Sequence, residues 1–187
     1  MEKQKPASAP RLPFRRLVDP KLQGELIELA FLHKAVSLGF AVAKPYGDSE
    51  RYDFIVDYRD NIDRKLLRVQ VKSTAVLYQD CYRIWCAHSR TRYSRTPYSR
   101  RQIDFLVAYI MPENAWYVFP VAVIGVRTCI KLFTQHRKTK SRYEQFREAW
   151  HLMSDPLEGL PIPAPAATTL ELNPQKKGGH KAALVPI

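Results

Sequence analysis

The stretch Lys65-Leu-Leu-Arg68-Val-Gln70-Val-Lys72-Ser-Thr74 alternates as a strand with two different faces. Successive side chains of a strand point to opposite sides, so Arg68, Gln70 and Lys72 share one face and Leu67, Val69 and Val71 the other. The apolar face belongs to a core. Three polar side chains in mid-strand are costly if buried without partners, so their face must meet solvent or a working site.

Upstream, Tyr52-Asp53-Phe-Ile-Val-Asp57 reads as a second strand that opens on an acid, and Asp60-Asn-Ile-Asp63 supplies turn residues between the two. A hairpin would bring Asp53 beside Gln70 and Lys72. A carboxylate and an amide oxygen suit one hard cation such as Mg²⁺, which takes one or two protein carboxylates and completes its shell with water and phosphate. The lysine can orient or help deprotonate an attacking water, or stabilise charge at the phosphate.

Further upstream, Phe40 to Lys44 is another β-like run, followed by the turn Pro45-Tyr-Gly-Asp-Ser. The pattern predicts a helix from Leu22 to Leu38, stopped by Gly39. At about 100° per residue, Leu22, Leu26, Leu29, Val36 and Phe40 share one face, expected to be buried. Glu25 falls just inside the edge of that arc and Glu28 about 60° further out, toward solvent. His33 has apolar neighbours and reads as a packed or half-exposed residue.

Downstream, Tyr82 to Ala87, Phe105 to Ile110 and Ala115 to Phe119 are β-like, and Asp104 reads as a helix or turn cap. A last helix, Ser141 to Met153, is expected to bury Tyr143, Phe146 and Trp150. The class is α/β, with a mixed central sheet flanked by helices.

Charge adds a second signal. The formal net charge is +12, from 30 basic and 18 acidic residues. Six arginines lie between Arg83 and Arg101 and six basic residues between Arg127 and Arg142, with no acid in either segment. Without those 12 the chain is neutral, so the excess forms a local footprint for a polyanion. Arg90, Arg92, Arg95, Arg100 and Arg101, interleaved with Tyr93 and Tyr98, are expected to contact nucleic acid, and Lys131, Arg137, Lys138, Lys140 and Arg142 to add backbone contacts. Tyr93 and Tyr98 either stack or donate to phosphates, or pack the segment onto the domain. Neither segment has the apolar stripe of a membrane-surface helix, and no apolar run approaches a membrane span.

Ten of the 14 prolines fall in residues 1–20 or 155–187. This sets out a tail at 1–20, a folded domain at 21–153 and a Pro-rich tail at 154–187. The three cysteines form neither a disulfide framework nor a zinc pattern, and no signal peptide opens the chain, so a reducing cytoplasm is expected.

A helix with Glu25, a strand with Asp53 and a hairpin partner with Gln70-x-Lys72 resembles the PD-(D/E)XK nuclease superfamily, nearest its branch of homing endonucleases and Holliday-junction resolvases. The likeness runs from Gly24-Glu-Leu-Ile-Glu through Gly39 to Thr74 and covers about residues 22–153. It implies a restriction-endonuclease-like αβββαβ core and Mg²⁺-dependent cleavage of double-stranded DNA, with Mn²⁺ an accepted substitute. It assigns Asp53 and Gln70 to the metal, Lys72 as the catalytic lysine, and Glu25 to positioning metal-bound water. Tyr52 stands in the family's proline position, and Gln70 stands where a second acid is usual, as in the homing branch. Cutting both strands needs two sites, hence a homodimer or homotetramer. The rival reading is an inactive DNA- or RNA-binding protein on the same fold.

Overall fold

The computed structural model describes residues 19–47, 49–58, 66–91, 94–133 and 141–154, with Arg90 and Thr91 described by backbone alone. Almost all of both expected tails lies outside these residues, as do Arg92, Tyr93, Arg137, Lys138 and Lys140. Helix α1 spans Pro20–Ser37, with Asp19 capping its N-terminus through Lys21 N–H and Pro20 in the first turn. Gly39, at φ +91°, then turns the chain into β1, Phe40–Ala43. Strand β2 is Phe54–Tyr58 and β3 is Leu67–Thr74. β1 pairs with β2 and β2 with β3, both antiparallel.

The chain then leaves this sheet. Strands β4 (Leu77–Tyr78), β5 (Cys81–Trp85), β6 (Ala87–Thr91) and β7 (Ser94–Pro97) follow, before β8 (Phe105–Ile110) returns parallel to β3. β9, Ala115–Pro120, closes the main sheet in the order β1-β2-β3-β8-β9. β10, Cys129–Phe133, pairs with β5 in a smaller sheet that also holds β4, and β6 and β7 form a separate ribbon. A one-turn helix α2, Val121–Ile124, links β9 to that smaller sheet. The mixed α/β sheet expected from the sequence is thus present, and the basic segment from Arg83 to Arg101 contributes to β5, β6 and β7.

The core lies where β8 and β9, buried almost throughout, meet α1 and the C-terminal aromatics. Phe31 stacks on Phe54 at 4.9 Å and reaches Trp116 and Trp150 at 6.3 and 6.2 Å. Arg68 clamps the parallel pair: it holds the Asp104 carboxylate and donates to the carbonyls of Arg100 and Arg101. Asp104, read above as a cap, is therefore an ion-pair partner that also accepts from Arg68 N–H.

Two expectations need correction. The expected last helix is two 3-10 turns, Glu144–Phe146 and Trp150–Met153, although Tyr143, Phe146 and Trp150 are buried. Between the turns Arg147 bridges to Tyr117, while the Glu148 carboxylate accepts from Trp116 N–H and the Trp150 indole. These tertiary bonds win over a continuous helix ladder. The orientation of α1 also differs. Its buried side chains are Ile27, Phe31 and Ala35, while Leu22, Leu26, Leu29 and Val36 are exposed, Leu29 by 61%. The helix is apolar on two opposite sides, and the larger leucine stripe is not the one facing the core.

Among the described residues no helix is long and apolar enough to cross a membrane. The orientation of α1 sets a contrast. Phe31→Ala should cost about 3–5 kcal/mol, and Leu29→Ala no more than about 0.5 kcal/mol. Urea unfolding of the full chain in dilute solution measures both, and equal losses would reverse the assignment of the faces.

Candidate active site

The ladder between β2 and β3 ends at Asp53. Phe54 is opposite Val69, and Asp53 N–H still donates to the Val69 carbonyl at 2.9 Å. The next inward donor, Val71 N–H, has no strand carbonyl to meet. The Asp53 side chain takes it instead, its Oδ2 accepting at 2.8 Å. The same Oδ2 accepts a short hydrogen bond from the Gln70 amide nitrogen. Asp53 Oδ1 accepts no hydrogen bond from a described residue and is the oxygen left for a ligand.

Gln70 is 5% exposed, and both its amide nitrogen and its carbonyl oxygen are hydrogen-bonded. Its amide nitrogen also donates to the Val71 carbonyl at 3.2 Å, and its Oε1 accepts from the Tyr98 hydroxyl at 3.2 Å. A carbonyl oxygen has a second lone pair, so Oε1 keeps acceptor capacity. Tyr98, expected in the basic segment either to contact nucleic acid or to pack, is 4% exposed and packs. Burial first, and the Asp53 charge second, push its phenol up to about 12, so it remains a donor at neutral pH.

Lys72 is half-buried and makes no hydrogen bond to a described residue. Burial raises the Asp53 carboxyl above its ordinary range; the Val71 N–H and then the Lys72 charge oppose that rise, and the Glu28 charge adds to it. Asp53, Gln70 and Lys72 thus form one electrostatic unit. No group of three His, Cys, Asp or Glu side chains placed to hold a metal occurs among the described residues. The oxygens of Asp53 and Gln70 suit a hard cation that keeps much of its own water, and they do not form a closed protein cage.

Of the two helix acids, Glu25 is exposed and Glu28 half-buried, which corrects the expectation that Glu28 points to solvent. Both line a groove of about 320 Å³ with Leu29, Leu32, Val42, Lys44 and Phe54. Glu28 pairs with Lys44 at 2.6 Å, and its charge reaches Asp53. The sequence reading passed over Glu28 because it turned the helix the wrong way; the spacing of Ile27, Phe31 and Ala35 was the available signal. Nothing in the chain order signalled the bond from Tyr98 to Gln70, which lies 28 residues away.

Of the arginines expected at nucleic acid, Arg95, Arg100 and Arg101 are exposed. Arg90 lies in β6, with its side chain outside the described residues, and Arg92 is outside them altogether. Arg95 lies over the Trp85 ring at 3.5 Å and Arg83 over Tyr78 at 3.7 Å, which leaves cations and aromatic faces side by side near the ribbon. Lys131 and Arg142 are exposed as well.

The sequence profile of PD-(D/E)XK endonucleases matches residues 18–153. Among solved structures, that of a bacterial homing endonuclease, I-Ssp6803I, is 35% identical, covers 72% of this chain and 93% of its own, and superposes with a TM-score of 0.62. No curated protein sequence matches.

The environment of Asp53 has a consequence for stability. A carboxyl whose folded pKa is raised contributes most below its unfolded pKa, and that contribution is lost as pH rises through the folded value. At neutral pH the ionised form is therefore held at a cost. Asp53→Asn keeps an acceptor for Val71 and Gln70, so it should stabilise the metal-free protein by on the order of 1 kcal/mol at pH 7. The gain should shrink as pH falls through the raised pKa of the wild-type carboxyl. Thermal melts across pH measure this, and a destabilised variant at pH 7 would count against the buried, charged state.

Proposed function

Because the chain belongs to the PD-(D/E)XK endonuclease family, we propose that it is a divalent-metal-dependent endonuclease that hydrolyses phosphodiester bonds of double-stranded DNA, taking Mg²⁺ or Mn²⁺. The observation that carries this reading is the joint hydrogen bonding of Asp53 and Gln70 within reach of the Lys72 charge. The cation, when bound, would polarise the phosphate and lower the pKa of a water. Asp53 would hold it through Oδ1, with Oδ2 already fixed by Val71 and Gln70. Gln70 would offer Oε1, with Tyr98 setting the orientation of the amide. Lys72 would assist the water or neutralise charge growing on the phosphate. Glu25 and Glu28 are the two helix acids available to position water, and the influence of Glu28 on Asp53 favours it.

The duplex would be gripped by the β6–β7 ribbon and the turn after it, through Arg90, Arg92, Arg95, Arg100 and Arg101. A two-stranded ribbon fits the major groove. The likeness to a homing endonuclease supports a site-specific cut in both strands. Two cuts need two sites, hence a homodimer or homotetramer.

Purified wild type should nick supercoiled DNA when Mg²⁺ is added. Asp53→Asn should abolish nicking and leave binding intact, and Lys72→Ala should slow it on the order of 10²-fold or more. Gln70→Glu replaces the amide donor with a second carboxylate against Asp53, so it should destabilise the metal-free protein and tighten metal binding. If the wild type is as inert as the variants, the chain is a binding protein on this fold. If Asp53→Asn cuts as well as wild type, the site is misassigned.

Binding gives a separate test. With about six phosphates engaged, log Kd against log salt should have a slope of roughly 5 in magnitude. Changing Arg90, Arg92 and Arg95 to Ala should weaken binding and flatten the slope. An unchanged slope would remove the ribbon from the interface.

A further inference from the structure

Gln70 is one of two buried polar residues among those described, and its amide lies against a carboxylate. Nε2 donates to Asp53 Oδ2 and to the Val71 carbonyl, and Oε1 accepts from the Tyr98 hydroxyl. Chemistry forces that orientation. An ionised carboxylate only accepts hydrogen bonds, and Oδ2 already accepts from Val71 N–H. An amide turned the other way would set its oxygen against the carboxylate with no proton between them, and a buried polar contact of that kind is costly.

The same orientation is wrong for a cation. Oε1, the oxygen that the nuclease reading gives to the metal, faces Tyr98. The atom facing Asp53 carries two hydrogens with partial positive charge, whereas a hard cation takes oxygen. Those two hydrogens meet Asp53 Oδ2 and the Val71 carbonyl, both of them oxygens that a cation could also use. In the metal-free protein the amide nitrogen thus stands in for positive charge beside Asp53.

We propose that the Gln70 amide is a latch that turns end for end when a divalent cation binds, so that Oε1 replaces Nε2 on the Asp53 side. The inference rests on the nuclease reading for the presence of the cation alone. The turn exchanges two atoms of nearly equal size about one terminal torsion, whose profile is broad and two-fold. It needs no movement of β3, which is held between β2 and β8. Tyr98 permits the exchange because a hydroxyl both donates and accepts. It donates to Oε1 now and accepts from Nε2 after the turn. A side chain able only to donate would lock the amide in its metal-free state. An acid at position 70 would need no turn, since its two oxygens are equivalent. The glutamine therefore adds a step, and the cation must break the bonds from Nε2 before Oε1 can serve it.

The test follows the Gln70 side-chain amide by nuclear magnetic resonance in the full-length protein, using isotope-labelled glutamine. Its signal is identified by its absence from Gln70→Glu. Mg²⁺ is added without DNA, so no cleavage enters, and calorimetry measures its uptake. In the metal-free protein the two amide protons should lie downfield and exchange slowly with water, being bonded to a carboxylate and a carbonyl. Saturating Mg²⁺ should move them upfield by more than any other side-chain amide in the spectrum. The Tyr98 ring carbon that bears the hydroxyl should shift with them, as donation gives way to acceptance. Asp53→Asn should abolish both responses. Gln70→Glu should take up Mg²⁺ with a much smaller shift at Tyr98.

Mg²⁺ uptake that leaves the Gln70 amide in place overturns the proposal, because Asp53 then holds the cation without the turned amide. A protein that takes up no Mg²⁺ overturns it as well. Plasmid nicking judges the nuclease reading separately. An amide that turns in a protein that does not nick leaves the latch standing and sinks the nuclease. Nicking with an unturned amide does the reverse.

Discussion

One substitution of side chain for backbone organises this molecule. Where the β2–β3 ladder runs out, the Asp53 carboxylate takes the N–H of Val71 that a strand carbonyl would otherwise have met. The bond ties an ionisable group to the middle of the main sheet, beside a buried amide, at the spot where β2 diverges from β3. A carboxylate carried on a free loop would lose rotamer entropy each time it bound a ligand. Here that freedom is given up on folding, together with the desolvation that raises the carboxyl's pKa. The opposing Lys72 charge keeps the ionised form within reach.

The sheet around that bond explains the surroundings. β3 has β2 on one side and β8 on the other, so its central residues are enclosed, and Gln70 is buried although it lies on the polar face. An amide in such a place needs all its hydrogen bonds, and Asp53, the Val71 carbonyl and Tyr98 supply them. Parallel pairing of β3 with β8 requires a long excursion, and the chain uses it to build the small sheet and the basic ribbon. Arg68 closes the excursion by binding Asp104 and the carbonyls of the turn before β8.

What the sequence revealed follows from how locally each feature is written. The alternation through Gln70 and Lys72 concerns one strand, and the acid at Asp53 lies next to an apolar run; the mixed sheet followed from the order of such runs. The face of α1 did not, because apolar residues lie on opposite sides of the helix and only the tertiary partners Phe54, Trp116 and Trp150 select Phe31 over Leu29. The position of Glu28 was lost with it. The C-terminal aromatics were recognised as core, but the helix expected to carry them gave way to hydrogen bonds that the Glu148 carboxylate accepts, which no periodicity records. Tyr98 was hidden among arginines, where composition speaks of surface.

Tyr98 follows directly on Pro97, the last residue of the ribbon, and its hydroxyl rests on Gln70. The ribbon and the amide are therefore one mechanical part, joined through Tyr98 by the peptide link to Pro97, the ring contact with His88 and the hydrogen bond to Gln70. Such a ribbon is not a detachable module. Lengthening, shortening or re-registering it would also shift the phenol, and with it the amide beside Asp53. Any redesign of the ribbon would have to treat its exposed tip as replaceable and the base of the hairpin as fixed.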